Sequence, residues 1–130
     1  MSPYHWSFLL AVAAGGACGA MCRYMLAQLT RNWMAHGLPV GTLLANIIGS
    51  FVMGLAFIWF TLKYPLLGHW RTLIQVGFLG ALTTFSSFAL ESVLLWDQGN
   101  NTMALMYGIG SVVGCLLAVV MGIQVGKLFV

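Results

Sequence analysis

Charge is what this sequence has least of. Among 130 residues stand five Lys or Arg and two Asp or Glu, 5% in all, where a soluble domain carries about 25%. So few charged groups, with no long polar stretch beside them, cannot cover a water-facing surface, which excludes a soluble enzyme and a disordered segment. The net charge of +3 and the pI near 9.0 come from scattered residues without a basic patch, so nucleic acid is not an expected partner. Cysteine is also scarce. Cys18, Cys22 and Cys115 all lie in apolar stretches, with no pair outside them to build a disulfide framework. Cys18 and Cys22 are one helical turn apart, but no His or acid lies near them to complete a metal ligand set, so the expected role is packing. Missing, finally, is any Lys or Arg ahead of the apolar run from Trp6 to Ala14, as a signal peptide would have. The apolar character continues past Arg23 to Leu29, which reads as a retained transmembrane helix.

What is present is apolar: 61% of residues are hydrophobic and the mean hydropathy is +0.96. Crossing a hydrocarbon core of about 30 Å takes about 20 helical residues. Four stretches meet that length, roughly 7–30, 40–62, 70–96 and 102–128, joined by short connections carrying Pro39, Pro65, Gly68 and Gly99. The expectation is an all-α integral membrane protein, a single transmembrane domain over residues 1–130. All five tryptophans fall at or near span ends, joined by Tyr4 and Tyr64, as an aromatic belt requires. Lys63, Arg71 and Lys127 on one side against Arg31 on the other orient the chain weakly with both termini inside. The alternative is insertion both ways round and pairing with an inverted copy.

Polar groups inside a membrane are costly and point to function. Arg23, in the first helix, must face water, an anion or a carboxylate, unless it snorkels to the interface. In the second helix Thr42, Asn46, Ser50 and Gly54 form a slowly drifting stripe, in which Asn46 lines a pore or bonds to another helix. The third helix carries two glycines, Gly77 and Gly80, then four hydroxyl residues, Thr83, Thr84, Ser86 and Ser87. That run predicts a break between about Gly80 and Ser86, whose freed carbonyls suit a hard cation. Phe85 and Phe88 share a face if helix resumes there. Their positive ring edges would solvate a small anion where core packing is the plainer role. Glu91, on the same face, is the only acid inside a span, which favours an ion-path or hydrogen-bonding role. The fourth helix aligns Tyr107, Ser111 and Cys115, and beside them Gly110, Gly114, Ala118, Gly122 and Gly126 form a stripe for close packing.

These residues carry a resemblance. The Gly-rich first helix leading to Arg23 and Tyr24, the block Gly41-Thr-Leu-Leu-Ala-Asn46 with Gly49-Ser50-Phe51, and the block from Gly77 to Phe88 with Glu91 are similar to the Fluc (CrcB) fluoride channels. The Thr-Thr-Phe-Ser-Ser-Phe run is the specific part. The resemblance implies passive export of fluoride across the bacterial inner membrane, relieving cytoplasmic fluoride toxicity. It implies an antiparallel, dual-topology homodimer in lipid, with two fluoride pores and a central structural sodium ion. By that likeness Phe85 and Phe88 line the anion path with Asn46 beside them, Thr84, Ser86 and Ser87 lie nearby, and Arg23 stands near the vestibule. Main-chain oxygens of Gly80 and Thr83 hold the sodium, and Glu91, Tyr107 and Ser111 form a polar track. Where the family usually continues that track with a hydroxyl, this chain has Cys115, a weaker donor. Two further readings remain open. One is a proton-coupled exporter resembling small multidrug resistance transporters, whose working glutamate lies in a first helix that here has none. The other is a non-transporting assembly subunit.

Overall fold

The computed structural model describes residues 5–33 and 37–130 and is helical throughout, with no strand among the described residues. Four helices are long and apolar enough to cross a membrane: α1, Trp6–Leu29; α2, Val40–Lys63; α3, Gly68–Asp97; and α4, Asn101–Lys127. A turn of 3₁₀ helix, Arg31–Trp33, follows α1. In hydrocarbon each backbone N–H and C=O needs a partner within the protein, and an unbroken helix supplies one to all but its ends. Two stretches are wound more widely, with π-type turns: Trp59–Lys63 at the end of α2 and Thr72–Leu79 inside α3. At Thr83 and Thr84 the α3 backbone is extended, with φ −81°, ψ 151° and φ −151°, ψ 123°. Two arms result, residues 68–82 and Phe85–Asp97.

The helices adhere where side chains are missing. α1 lies on the first arm of α3 so closely that a Cβ at Gly15 or Gly19 would overlap the main-chain oxygen of Leu73 or Phe78. α2 and α4 meet in the same way, Gly54 against the Val119 carbonyl and Gly122 against that of Phe51. With lipid as apolar as leucine, such backbone contact is what drives association. The small-residue stripe of α4 is therefore a packing surface at Gly122 and Gly126, but it ends before Gly110, around which nothing lies within reach. Cys18 and Cys22 are corrected too: both are exposed on α1, and the packing falls to the glycines beside them.

Large apolar side chains point outward. Leu79 is the only large one fully buried among the described residues, in a core with Ala45, Ala56, Phe60 and Leu82. This inversion of the soluble pattern is what lipid permits. Trp6, Trp33, Trp70 and Trp96 are exposed at span ends, while Tyr4 lies outside the described residues. At one end of the bundle Ser7 meets His69 and Lys63 donates to the Phe129 carbonyl. Gly37 approaches Leu95 at the other.

Candidate ion path

The second arm of α3 is held by α2 rather than by its own helix. Asn46 Nδ2 donates to the Thr84 carbonyl at 2.9 Å, and the Thr84 N–H donates back to Asn46 Oδ1 at 2.7 Å. One amide side chain thus bonds both peptide groups of an extended residue whose N–H has no helical acceptor. Thr84 then opens the second arm, its Oγ1 accepting from the Ser87 N–H at 3.2 Å as an N-cap does. The same oxygen lies 3.2 Å from the hydroxyls of Ser86 and Ser87.

These bonds release main-chain oxygens. In a continuous helix the Thr84 N–H would serve Gly80 and the Ser87 N–H would serve Thr83. Here the first goes to Asn46 and the second to Thr84 Oγ1. Arg23, from α1, donates its Nε to the Ala81 carbonyl at 3.1 Å. Its guanidinium therefore sits against the first arm, on the α1 side. Among the described residues no three His, Cys, Asp or Glu side chains gather to hold a metal, so a cation in this region would rest on main-chain oxygen. The Gly80 and Thr83 carbonyls fit a hard cation by ligand type.

A groove of about 590 Å³ opens between α2, the interruption in α3, and α4. Its walls bring together Asn46, Gly80, Thr83, Thr84, Phe85, Phe88, Ser111 and Cys115, and add Ser50. Phe85 is 75% exposed, which no core role explains. Its ring centroid is 5.3 Å from that of Phe88, the planes inclined by 51°. Phe88 in turn lies 5.4 Å from Tyr107 at 50°, so three rings step inward from the lip.

Behind them sits the one acid of the membrane interior. Thr42 Oγ1 donates to Glu91 Oε1 and the Tyr107 hydroxyl to Glu91 Oε2, each at 2.7 Å. Both carboxylate oxygens thereby accept a hydroxyl proton, fixing the side chain between α2 and α4. Hydrogen bonds to charged groups contribute about 1.5–3 kcal/mol each. One turn further along α4, Ser111 is buried and its Oγ has no hydrogen-bond partner, alone in this among the buried side chains of the described residues.

Arg23, Ser86, Ser87, Glu91 and Tyr107 do not line the groove, although Tyr107 adjoins it through Phe88 and holds Glu91. Thr42 and Ser50, for which sequence reasoning gave no site role, belong to the arrangement. Their signal was the stripe of α2, in which Thr42, Asn46 and Ser50 recur every four residues. Chemically the assembly is a polar-spotted wall of ring edges, hydroxyls and one amide, beside a fixed cation and a fixed carboxylate.

Residues 10–123 match the family model described as CrcB-like protein, Camphor Resistance (CrcB). Curated relatives extend the likeness. The chain is 44% identical over 117 residues to a protein of Magnetococcus marinus, covering 90% of this chain and 95% of the relative. It is 45% identical over 116 residues to one from Saccharophagus degradans, with 88% and 85% covered. To one from Hahella chejuensis it is 43% identical over 120 residues, with 92% and 94% covered. All three relatives bear the name fluoride-specific ion channel FluC.

Proposed function

The chain belongs to the CrcB family, and from that premise we propose that it is a fluoride-selective channel of the bacterial inner membrane, exporting fluoride passively to relieve its toxicity. The observation that carries this reading is the Phe85–Phe88 ring pair, with Phe85 exposed, at the mouth of a groove that leads to Ser111. Fluoride is small and tightly hydrated, so its water must be replaced by fixed donors in sites weak enough to release it. Ring edges are positive by quadrupole and carry no net charge, so they solvate the anion without trapping it. The Asn46 amide positions the rings by holding Thr84, and Thr84, Ser86 and Ser87 supply hydroxyls at their approach. Beyond Phe88 the polar track runs over Tyr107, Glu91 and Ser111 toward Cys115.

The groove is open along one side of a single chain, so we take the conducting unit to be a homodimer. The copies insert antiparallel and each groove is closed against the partner, which gives two pores. The near balance of charge at the span ends suits insertion either way. Sodium, as a structural ion at the dimer centre, would rest on the Gly80 and Thr83 main-chain oxygens of both copies. It would offset carbonyls that lack helical partners and add positive potential near the anion paths, to which Arg23 contributes from α1. Labelling of a cysteine placed in the 97–101 loop should occur from both sides of the membrane; labelling from one side alone removes the antiparallel pairing.

The test of function is direct. Liposomes holding purified protein should release fluoride and retain chloride, and Phe88→Ile should abolish release while the protein still elutes as the same oligomer. No fluoride release from the unaltered protein refutes the channel reading. Saturable flux driven by a pH gradient would replace it with proton-coupled export.

A further inference from the structure

The three thiols of this chain occupy different surroundings. Cys18 and Cys22 are exposed on α1 and do not line the groove, whereas Cys115 is half-buried on α4 and does. One helical turn before it stands Ser111, 4% exposed and lining the same groove, with a hydroxyl that bonds to nothing. A buried hydroxyl without a partner costs about 1–3 kcal/mol, so this stretch of wall is built to receive an atom from outside. Around the pair the wall is apolar, formed by Val112, Leu116 and Val119. A permanently charged visitor loses its hydration there, and a small neutral one does not.

We propose that Cys115 is a covalent modification site on the ion path, at which small neutral thiol-directed electrophiles react and close the groove. The closing rests on the reading of the groove as the fluoride path; the reaction does not. Methyl methanethiosulfonate is the simplest probe. The thiol gives its proton to solvent, and the thiolate attacks the divalent sulfur of the reagent. A sulfur–sulfur bond forms to Cys115, the reagent's own sulfur–sulfur bond breaks, and methanesulfinate leaves with the electron pair. A methylthio group then stands where a dehydrated anion must pass, and dithiothreitol removes it by exchange.

The experiment treats protein in liposomes with the reagent, maps each cysteine by peptide mass, and measures fluoride release before and after. Cys115 is expected to carry the adduct and release to fall at least about tenfold, as a blocked single-file path requires, returning with dithiothreitol. A double variant, Cys18→Ala with Cys22→Ala, should lose release to the same degree. Cys115→Ser should keep, after treatment, the release it shows untreated. An unmodified Cys115 overturns the proposal, as does an adduct that leaves release unchanged or a Cys115→Ser variant that the reagent still blocks. If the untreated protein passes no fluoride, the channel reading has failed by itself, and the presence or absence of the Cys115 adduct decides the site.

Discussion

The two arms of α3 are held in opposite ways. The first, residues 68–82, lies on α1 through glycine, with main chain touching main chain at Gly15 and Gly19. The second, Phe85–Asp97, is tied to its neighbours by side chains reaching across: Asn46 to Thr84, and Thr42 and Tyr107 to Glu91. The contrast separates adhesion from function. Backbone contact is strong in lipid because nothing polar has to be desolvated, but it offers no chemistry to a passing ion. Polar ties cost desolvation and must be complete, and they place donors and ring edges where an anion can meet them.

The largest effect should come from breaking the first kind of contact. In Gly19→Leu the added Cβ has nowhere to go, since the Phe78 carbonyl already fills its place and the Leu82 N–H lies close behind. Neither is a flexible side chain that could move aside. Overpacking of this kind costs about 3 kcal/mol or more, and monodisperse protein should be lost on size-exclusion chromatography. A stable, conducting Gly19→Leu protein would mean that the two helices do not pack through glycine.

Next in size is Asn46→Ala, which removes the acceptor of the Thr84 N–H and one donor to the Thr84 carbonyl. At about 1–3 kcal/mol for a buried group left unpaired, a loss of about 2 kcal/mol is expected, because the nearby groove admits some water. The protein should still be recovered with a lowered Tm in detergent, while fluoride release falls at least about tenfold as the rings lose their setting. Intact release with an unaltered Tm would show that Thr84 keeps its conformation without the amide.

How far the arrangement was legible in the sequence depends on what was being read. Hydropathy and the tryptophans located four spans because a membrane constrains length and polarity, and both are properties of a residue string. Glu91 and Asn46 stood out because polar groups are rare there. The partners were another matter. Periodicity says which residues share a face and not which helix that face meets, so Thr42, 49 positions before Glu91, could not be assigned to it. Arg23 finds a main-chain carbonyl, and a carbonyl has no signature because every residue has one. For Cys18 and Cys22 the sequence pointed the wrong way: small residues beside a glycine stripe look like part of the contact, whereas the glycines suffice and the thiols face outward. The π-type winding of 72–79 left no mark either.

A smaller effect is expected at the carboxylate. Tyr107→Phe keeps the ring beside Phe88 and removes the hydroxyl that donates to Glu91 Oε2. Thr42 still holds the other oxygen, so the cost should be about 1.5 kcal/mol, the lower end for a bond to a charged group. Fluoride release should drop several-fold, because the freed oxygen is a negative charge without a donor beside the anion path. A Tm within error of the unaltered protein would place the Tyr107–Glu91 bond among contacts without energetic weight.

The smallest change in stability belongs to Ser111, and it separates the two kinds of contact most sharply. The side-chain ties of the second arm are satisfied within the chain, so removing one must destabilise. The Ser111 hydroxyl is buried and unpaired, so the folded protein already bears the cost of its desolvation with nothing in return. Ser111→Ala removes that cost and leaves a volume too small to matter, so the Tm should stay level or rise, a gain of up to about 1 kcal/mol. Fluoride release should nonetheless fall several-fold, since the donor was kept free for the ion. A variant that loses stability instead would show that Ser111 has a partner in the assembled protein, and its hydroxyl would then belong with the ties rather than with the path.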